Sequence, residues 1–275
     1  MNARRATVQF DFSGCSALVT GATSNLGLAF ARTLARAGAA VGVVGRSDRS
    51  ALNQVVSELR ASGATAVGEL ADFSDIAAVE AAAAKITDSL GPIDILINNA
   101  AIRSQRLPSD LTIEEWDRTF AVNLRAPFVL AKHVLPAMLT RKFGRIINIG
   151  GLNMWWASEA TAHVGAAKAG LLGLTTSLAM YGAQSGVTVN TIVPGFIDTP
   201  SYRQSPPNPS REETVNRLVP MARSARMEEV VETGMFLASS SASYITGQTV
   251  TVSGGAHPMV ALNCSSPDAA GEAQL

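Results

Sequence analysis

Cysteine and histidine are scarce in this chain: two cysteines, Cys15 and Cys264, and three histidines in 275 residues. Two thiols so far apart in sequence offer no disulfide framework, and so few nitrogen and sulfur ligands argue against a zinc site or any other metal centre. This usage fits a reducing compartment, so a cytoplasmic location is expected. Charge is thin as well. Charged residues make up 16% of the chain, and 22 Lys+Arg balance 22 Asp+Glu. Net charge near zero gives no basis for broad binding to nucleic acid or to an anionic membrane. Runs of about 18 uninterrupted apolar residues are missing, so no transmembrane helix is expected. Arg4 and Arg5 precede no apolar stretch before Asp11, which argues against a signal peptide.

What is plentiful is apolar side chain, 47% of the total and ample for a large core. Short β-rich runs alternate with alanine- and leucine-rich helical segments, without internal repeats. Strands are predicted at 17–20, 41–44, 66–70, 93–98, 145–149 and 187–193, with a short closing strand at 250–252. Helices are predicted at 26–37, 50–61 behind a Ser50 cap, and 74–90 behind a Ser74 cap. A further helix spans 112 to about 140 behind a Thr112–Glu115 capping box, and another 160–184. Pro127 and Pro136 should bend or interrupt the fourth. Continuous apolar strands between helices specify a doubly wound parallel sheet covered on both faces, a three-layer α/β/α Rossmann architecture in one domain. That domain is expected over residues 13–258, between an arm at 1–12 and an unstructured polar tail at 259–275. Pro206, Pro207 and Pro209 make 202–211 read as a mobile loop.

The first strand runs directly into Thr20-Gly21-Ala22-Thr23-Ser24-Asn25-Leu26-Gly27, which opens a helix. A strand, glycine turn and helix start present backbone N–H groups to a pyrophosphate. Gly21 permits the tight turn and Gly27 permits close helix–strand packing. Asn98-Asn99-Ala100-Ala101 follows the fourth strand, Pro194-Gly195-Phe196-Ile197-Asp198-Thr199 the sixth, and Tyr244-Ile245-Thr246-Gly247-Gln248 with Gly254-Gly255 lie near the end. From about Phe10 to Gly255 the chain resembles the short-chain dehydrogenase/reductase family. Two departures are visible: Asn25 replaces the middle glycine of the turn and Ala101 the glycine of Asn-Asn-Ala-Gly. Asparagine tolerates positive φ, so the first is mild.

The resemblance implies a nicotinamide cofactor held by Gly21, Ser24, Asn25, Leu26 and Gly27, by Asp72 and Phe73 beside the adenine, and by Asn99, Ala100 and Ala101. Pro194, Gly195, Ile197 and Thr199 would meet the nicotinamide amide. After the second strand an acidic residue would favour NAD, but Gly45 stands there and Arg46-Ser47 follow. Guanidinium and hydroxyl donors suit a 2′-phosphate, so NADP(H) is favoured over NAD(H). Alternatively Arg46 is a solvated arginine, and Arg49 nearby weakens any claim on one residue. Like its family, the protein is expected to form a homo-oligomer, a tetramer or a dimer. The helices over 124–139 and 165–181 are the expected interfaces.

The family's usual catalytic set comprises an asparagine, a serine, a tyrosine thirteen residues later and a lysine four beyond that. Asn123 and Lys168 fit the first and last, and the resemblance implies that Lys168 also binds the nicotinamide ribose. Counting back from Lys168 gives Val164 for the tyrosine and Gly151 for the serine, within a run that aligns without a gap. Neither can donate a proton. A positioned acid typically contributes about 10²–10⁴-fold to such a reaction. His163 is the nearest substitute, although it stands about 140° from Lys168 on an ideal helix; otherwise it is a packed or interface histidine. Asn153, Trp155 and Trp156 are candidate walls of a substrate pocket with Gly151 and Val164, and Tyr202 a candidate donor from the loop. One tryptophan packing elsewhere is the competing reading. Arg103 and Arg106 either reach an anionic substrate or remain solvated.

These residues predict an NADPH-dependent oxidoreductase acting on a small molecule by hydride transfer to C=N or C=O without the usual tyrosine. A preformed iminium would need no strong acid; a carbonyl would draw its proton from His163, water or Tyr202. Non-redox isomerase, lyase or cyclase chemistry on the same scaffold is one alternative. A non-catalytic NADP(H)-binding sensor is another, since fold alone does not fix function.

Overall fold

The apolar runs become the strands of one sheet in a computed structural model, which describes residues 8–156, 158–203 and 209–258. The first half comprises β1 (Ser16–Thr20), α1 (Asn25–Arg36), β2 (Ala40–Gly45), α2 (Arg49–Ala61), β3 (Ala66–Leu70), α3 (Ile76–Leu90) and β4 (Ile95–Asn98). The second comprises α4 (Ile113–Phe120), α5 (Ala126–Arg141), β5 (Gly144–Ile149), α6 (Ala162–Gly182), β6 (Val187–Pro194), β7 (Ile197–Asp198), α7 (Pro200–Arg203), α8 (Pro209–Leu218), β8 (Ala225–Arg226), α9 (Met227–Ala238) and β9 (Thr249–Val252). Seven strands form a parallel sheet in the order β3-β2-β1-β4-β5-β6-β9, and β7 pairs with β8 apart from it.

Every residue of β1, β4, β5 and β6 is buried. Alternation along each strand divides two cores. Ala17, Val19, Ile95, Ile97, Ile147 and Ile149 pack with Phe30 and Leu34 of α1, Leu52 of α2 and Met235 of α9. Leu18, Leu96, Ile146 and Val189 face the other way onto Ile86 of α3 and Leu130 and Met138 of α5. Strand order reverses between β1 and β4, and the carboxyl ends there open the crevice in which such sheets bind ligands.

Several boundaries move for local reasons. Asp48 caps α2 by accepting from the Ala51 N–H, and Asp75 caps α3 through Ala78, in place of Ser50 and Ser74. Ser74 instead donates its hydroxyl to Asp72. The Thr112–Glu115 capping box forms. The helix expected after it divides at a π-helical turn, Ala121–Arg125. Pro127 lies in the first turn of α5, where its missing N–H costs nothing, while Pro136 is inside that helix. Helices α7, α8 and α9 were not anticipated, and α7 and α8 include the two ends of the predicted mobile loop. The rest of that loop, 204–208, and the tail at 259–275 lie outside the described residues. Among those residues, no helix is long and apolar enough to cross a membrane.

Candidate active site

Thr20 and Asn99 join the ends of β1 and β4. The Thr20 hydroxyl accepts from the N–H groups of Asn99 (2.9 Å) and Ala100 (3.0 Å) and donates to the Ile97 carbonyl (3.3 Å). The Asn99 amide donates to the carbonyls of Thr20 (3.0 Å) and Gly21 (3.2 Å). Gly21 has φ +62, and a Cβ there would press on the Ala100 backbone at 3.0 Å. A Cβ on Gly27 would collide with the Gly21 carbonyl, so the helix start and the turn fit together only with glycine at that point. Asn25 takes φ 45, the left-handed conformation that asparagine accommodates. Its side chain also receives the Ser201 hydroxyl at 3.0 Å, tying α7 to the turn.

A cavity of about 760 Å³ opens at this crevice. Gly21, Ser24, Asn25 and Leu26 line one side, with Asn99, Ala100 and Ala101, and Pro194, Gly195, Ile197 and Thr199 line it from β6 onward. Gly151, Asn153, Trp156, Val164 and Lys168 complete most of the wall. Thus the turn, the Asn-Asn-Ala-Ala run, the Pro-Gly turn and α6, scattered in sequence, meet around one space. Arg103, one of the two arginines expected either to reach an anionic substrate or to stay solvated, also lines it, as do Phe196 of the Pro-Gly turn and the unanticipated Ser158 and Arg211.

Lys168 is buried, and its ammonium donates to the Ile149 carbonyl at 2.6 Å. Burial, then the charge of Arg103, lower its pKa from 10.5 to about 7. Gly151 is extended, at φ 174, and a Cβ on it would meet open space. Val164 turns an aliphatic side chain to the cavity.

Other predicted residues lie elsewhere. Asn123 is fully buried behind the wall, its amide accepting from the Ile102 N–H (2.8 Å) and donating to the Ile102 carbonyl (2.9 Å). His163 is fully buried too and outside the lining; its Nε2 pairs with the Ser104 hydroxyl at 3.0 Å. The helix angle that argued against His163 operates: Val164, its neighbour, points inward instead. Trp155 stacks on His257 with ring centroids 4.0 Å apart, so only Trp156 of the pair walls the cavity, against Phe196. Tyr202 faces a separate cavity of about 450 Å³, beneath the Arg211 guanidinium at 3.7 Å from its ring centroid.

At the end of β2, Arg46 and Ser47 are exposed and stand apart from the main cavity. Asp72 accepts from the Ser74 hydroxyl (2.7 Å) and N–H (2.9 Å) and from Arg118 (3.2 Å). Those Ser74 bonds, with the Arg118 and Arg46 charges behind them, hold its carboxyl below the usual range. Phe73 is buried among core side chains rather than in the cavity. Beneath the floor, a polar chain missed in the sequence runs from Asn98 to Asn148 (2.9 Å), Thr175 (2.9 Å) and Thr191 (2.7 Å). Asn98 stood in the motif after β4, but Asn148 and Thr191 alternate with apolar residues inside strands and Thr175 lies within α6, and these three carried no signal of their own.

A family model described as Enoyl-(Acyl carrier protein) reductase matches residues 21–257. The 3-oxoacyl-(acyl-carrier-protein) reductase FabG of Escherichia coli (strain K12) is 38% identical over 245 residues, covering 89% of this chain and 98% of that protein. A putative gluconate dehydrogenase from Agrobacterium tumefaciens superposes with a TM-score of 0.86 at 33% identity, covering 92% of this chain and 100% of the other. A putative NAD(P)-dependent gluconate 5-dehydrogenase from Beutenbergia cavernae, solved with bound NADP, gives 0.82 at 33% identity, covering 90% and 98%. With a parallel sheet of this order, these segments around its crevice and similarity over nearly the whole chain, the protein belongs to the short-chain dehydrogenase/reductase family of oxidoreductases.

Proposed function

We propose that this chain is an NADP(H)-dependent oxidoreductase that interconverts a carbonyl and an alcohol, with Lys168 in place of the family's tyrosine as the source of the proton. The observation that carries this reading is the convergence of the glycine turn, Asn99–Ala101, Pro194–Thr199 and Lys168 on one cavity. The residues fit a dinucleotide. Side-chain-free backbone at Gly21 borders the space, and the start of α1 offers N–H groups to a pyrophosphate. No acidic residue occupies the end of β2: Gly45 stands there, and a Cβ on it would lie 2.8 Å from Thr23 Cγ2. Arg46 is exposed beside it, without an ion-pair partner among the described residues, and suits a 2′-phosphate.

NADP(H), when bound, supplies or accepts a hydride at the substrate carbon. The proton must come from elsewhere. Gly151 and Val164, at the positions of the usual serine and tyrosine, have none to give. Among the described lining residues Lys168 alone exchanges a proton near neutral pH. One N–H is committed to the Ile149 carbonyl, leaving two donors for the cavity. In reduction, Lys168 releases a proton toward the substrate oxygen, directly or through water; in oxidation its neutral amine takes one back. A preformed iminium is the poorer substrate, because it would add a cation to a space that already holds Arg103 and Lys168.

Exposed Phe128 on α5 and exposed Met180 and Tyr181 on α6 support a homo-oligomer built through these helices. The test of function is substrate-dependent loss of NADPH absorbance across a panel of ketones and cyclic imines. Ketone reduction should fall as pH rises through about 7, and Lys168→Met should abolish it. Tight NADPH binding with no consumption by any compound would favour the sensor; turnover of imines alone would overturn the carbonyl assignment.

A further inference from the structure

Resting on that reading, we propose that the substrate carries a carboxylate and that Arg103 is the residue that binds it.

The charge of the cavity is one-sided. Its described lining includes Arg103, Lys168 and Arg211 but no aspartate or glutamate. Arg103 is close enough to Lys168 for its charge to help displace the lysine's proton, and desolvation lowers the pKa of Arg103 itself. Arg103 is exposed along the cavity, and the protein around it removes part of its hydration. Two like charges brought together in a partly desolvated space repel each other, and an anionic ligand relieves that repulsion.

The backbone around Arg103 is held on both sides. Asn123 fixes Ile102 through both its N–H and its carbonyl. His163 fixes Ser104 through the side-chain hydroxyl, and the Arg106 N–H donates to the Ala160 carbonyl at 2.8 Å. The two polar residues that lie behind the wall therefore pin the residues flanking the one that enters the cavity. Pinning in advance lowers the ordering cost of binding. His163 also precedes Val164 on α6, which places this segment at the Val164 side of the cavity.

Arg103 has no hydrogen-bond or ion-pair partner among the described residues. Arg106, three positions on, is the internal contrast: it pairs with Glu115 at 3.0 Å and lies outside the cavity. A free guanidinium presents a planar fork that matches a carboxylate with two parallel hydrogen bonds. Asn123 and His163 are positioning residues on this account, which explains their burial without giving either a proton to transfer.

Calorimetric titration of the NADP⁺-saturated full chain tests this. The probes are 3-hydroxybutanoate and D-gluconate, their neutral counterparts methyl 3-hydroxybutanoate and D-gluconamide, and inorganic phosphate. At least one carboxylate should bind about tenfold or more tightly than its neutral counterpart. Arg103→Ala should abolish that preference, Arg103→Lys should recover part of it, and Arg106→Ala should leave it intact. Equal affinity for charged and neutral forms, an Arg103→Ala variant that binds like the wild type, or no carboxylate binding at millimolar concentration overturns the proposal. Preference for phosphate over both carboxylates overturns the carboxylate assignment. NADPH affinity, measured first, separates the two layers: NADPH bound without carboxylate sinks only this inference, whereas no NADPH binding sinks the oxidoreductase reading beneath it.

Discussion

Replacing Lys168 with methionine removes a buried cation while keeping an unbranched apolar stem in the same space. In the folded wild type the Lys168 pKa lies at about 7, pulled down by burial and then by Arg103. In the unfolded chain a lysine returns to about 10.4. Between those values the unfolded chain holds a proton that the folded chain has released, so this group makes stability rise with pH across that window. Below pH 7 both states are protonated, and the folded state carries the whole burden of a desolvated ammonium, on the order of 5 kcal/mol at most. Methionine does not titrate. The wild-type stability minus that of Lys168→Met should therefore be nearly flat below pH 6 and rise by about 2 kcal/mol between pH 7 and 9. Loss of the 2.6 Å bond to Ile149 shifts the curve without changing its shape. Urea unfolding of the cofactor-free protein at fixed concentration reads this directly, and unchanged m-values confirm that the two unfolding reactions are comparable. A difference that stays flat from pH 6 to 9 would refute a depressed Lys168 pKa, and with it the proton source in the proposed mechanism.

Asn123→Ala strips both side-chain partners from the half-buried Ile102 backbone and should cost about 1–3 kcal/mol in chemical denaturation, while weakening carboxylate binding through the freed Arg103 segment. Arg46→Ala should weaken NADPH about tenfold or more and leave NADH unaffected in fluorescence titration; an unchanged NADPH/NADH ratio removes Arg46 from cofactor selection. The double change Gly151→Ser with Val164→Tyr adds two hydroxyls, the first into open space. It should raise carbonyl reduction by about 10²-fold or more and move the fall in rate away from pH 7. Unchanged turnover would mean that missing donors do not limit the enzyme.

The sheet was legible because fully buried parallel strands appear as continuous apolar runs, and 17–20, 145–149 and 187–193 needed little adjustment. Helix starts were less so: Asp48 and Asp75 compete with Ser50 and Ser74 within two residues, and only backbone direction decides between them. Most of the cavity wall at the carboxyl ends of the strands followed from motifs at strand ends. The substrate side did not. Trp155 and Trp156 are adjacent, yet opposite directions at a short turn send one to His257 and the other to the cavity. Arg103 and Arg106 look equivalent in sequence; a capping glutamate captures one and leaves the other for the site. Asn123 was expected at the chemistry, but its hydrogen bonds are visible only once Ile102 lies against it.

A crystal structure of the protein with NADP⁺ and a bound hydroxy acid identifies the proton source by the polar atom nearest the substrate hydroxyl. Lys168 Nζ, or a water held by it, should lie there, with the carboxylate on Arg103. A hydroxyl oxygen resting on His163 or Tyr202, with Lys168 turned away, would contradict that assignment.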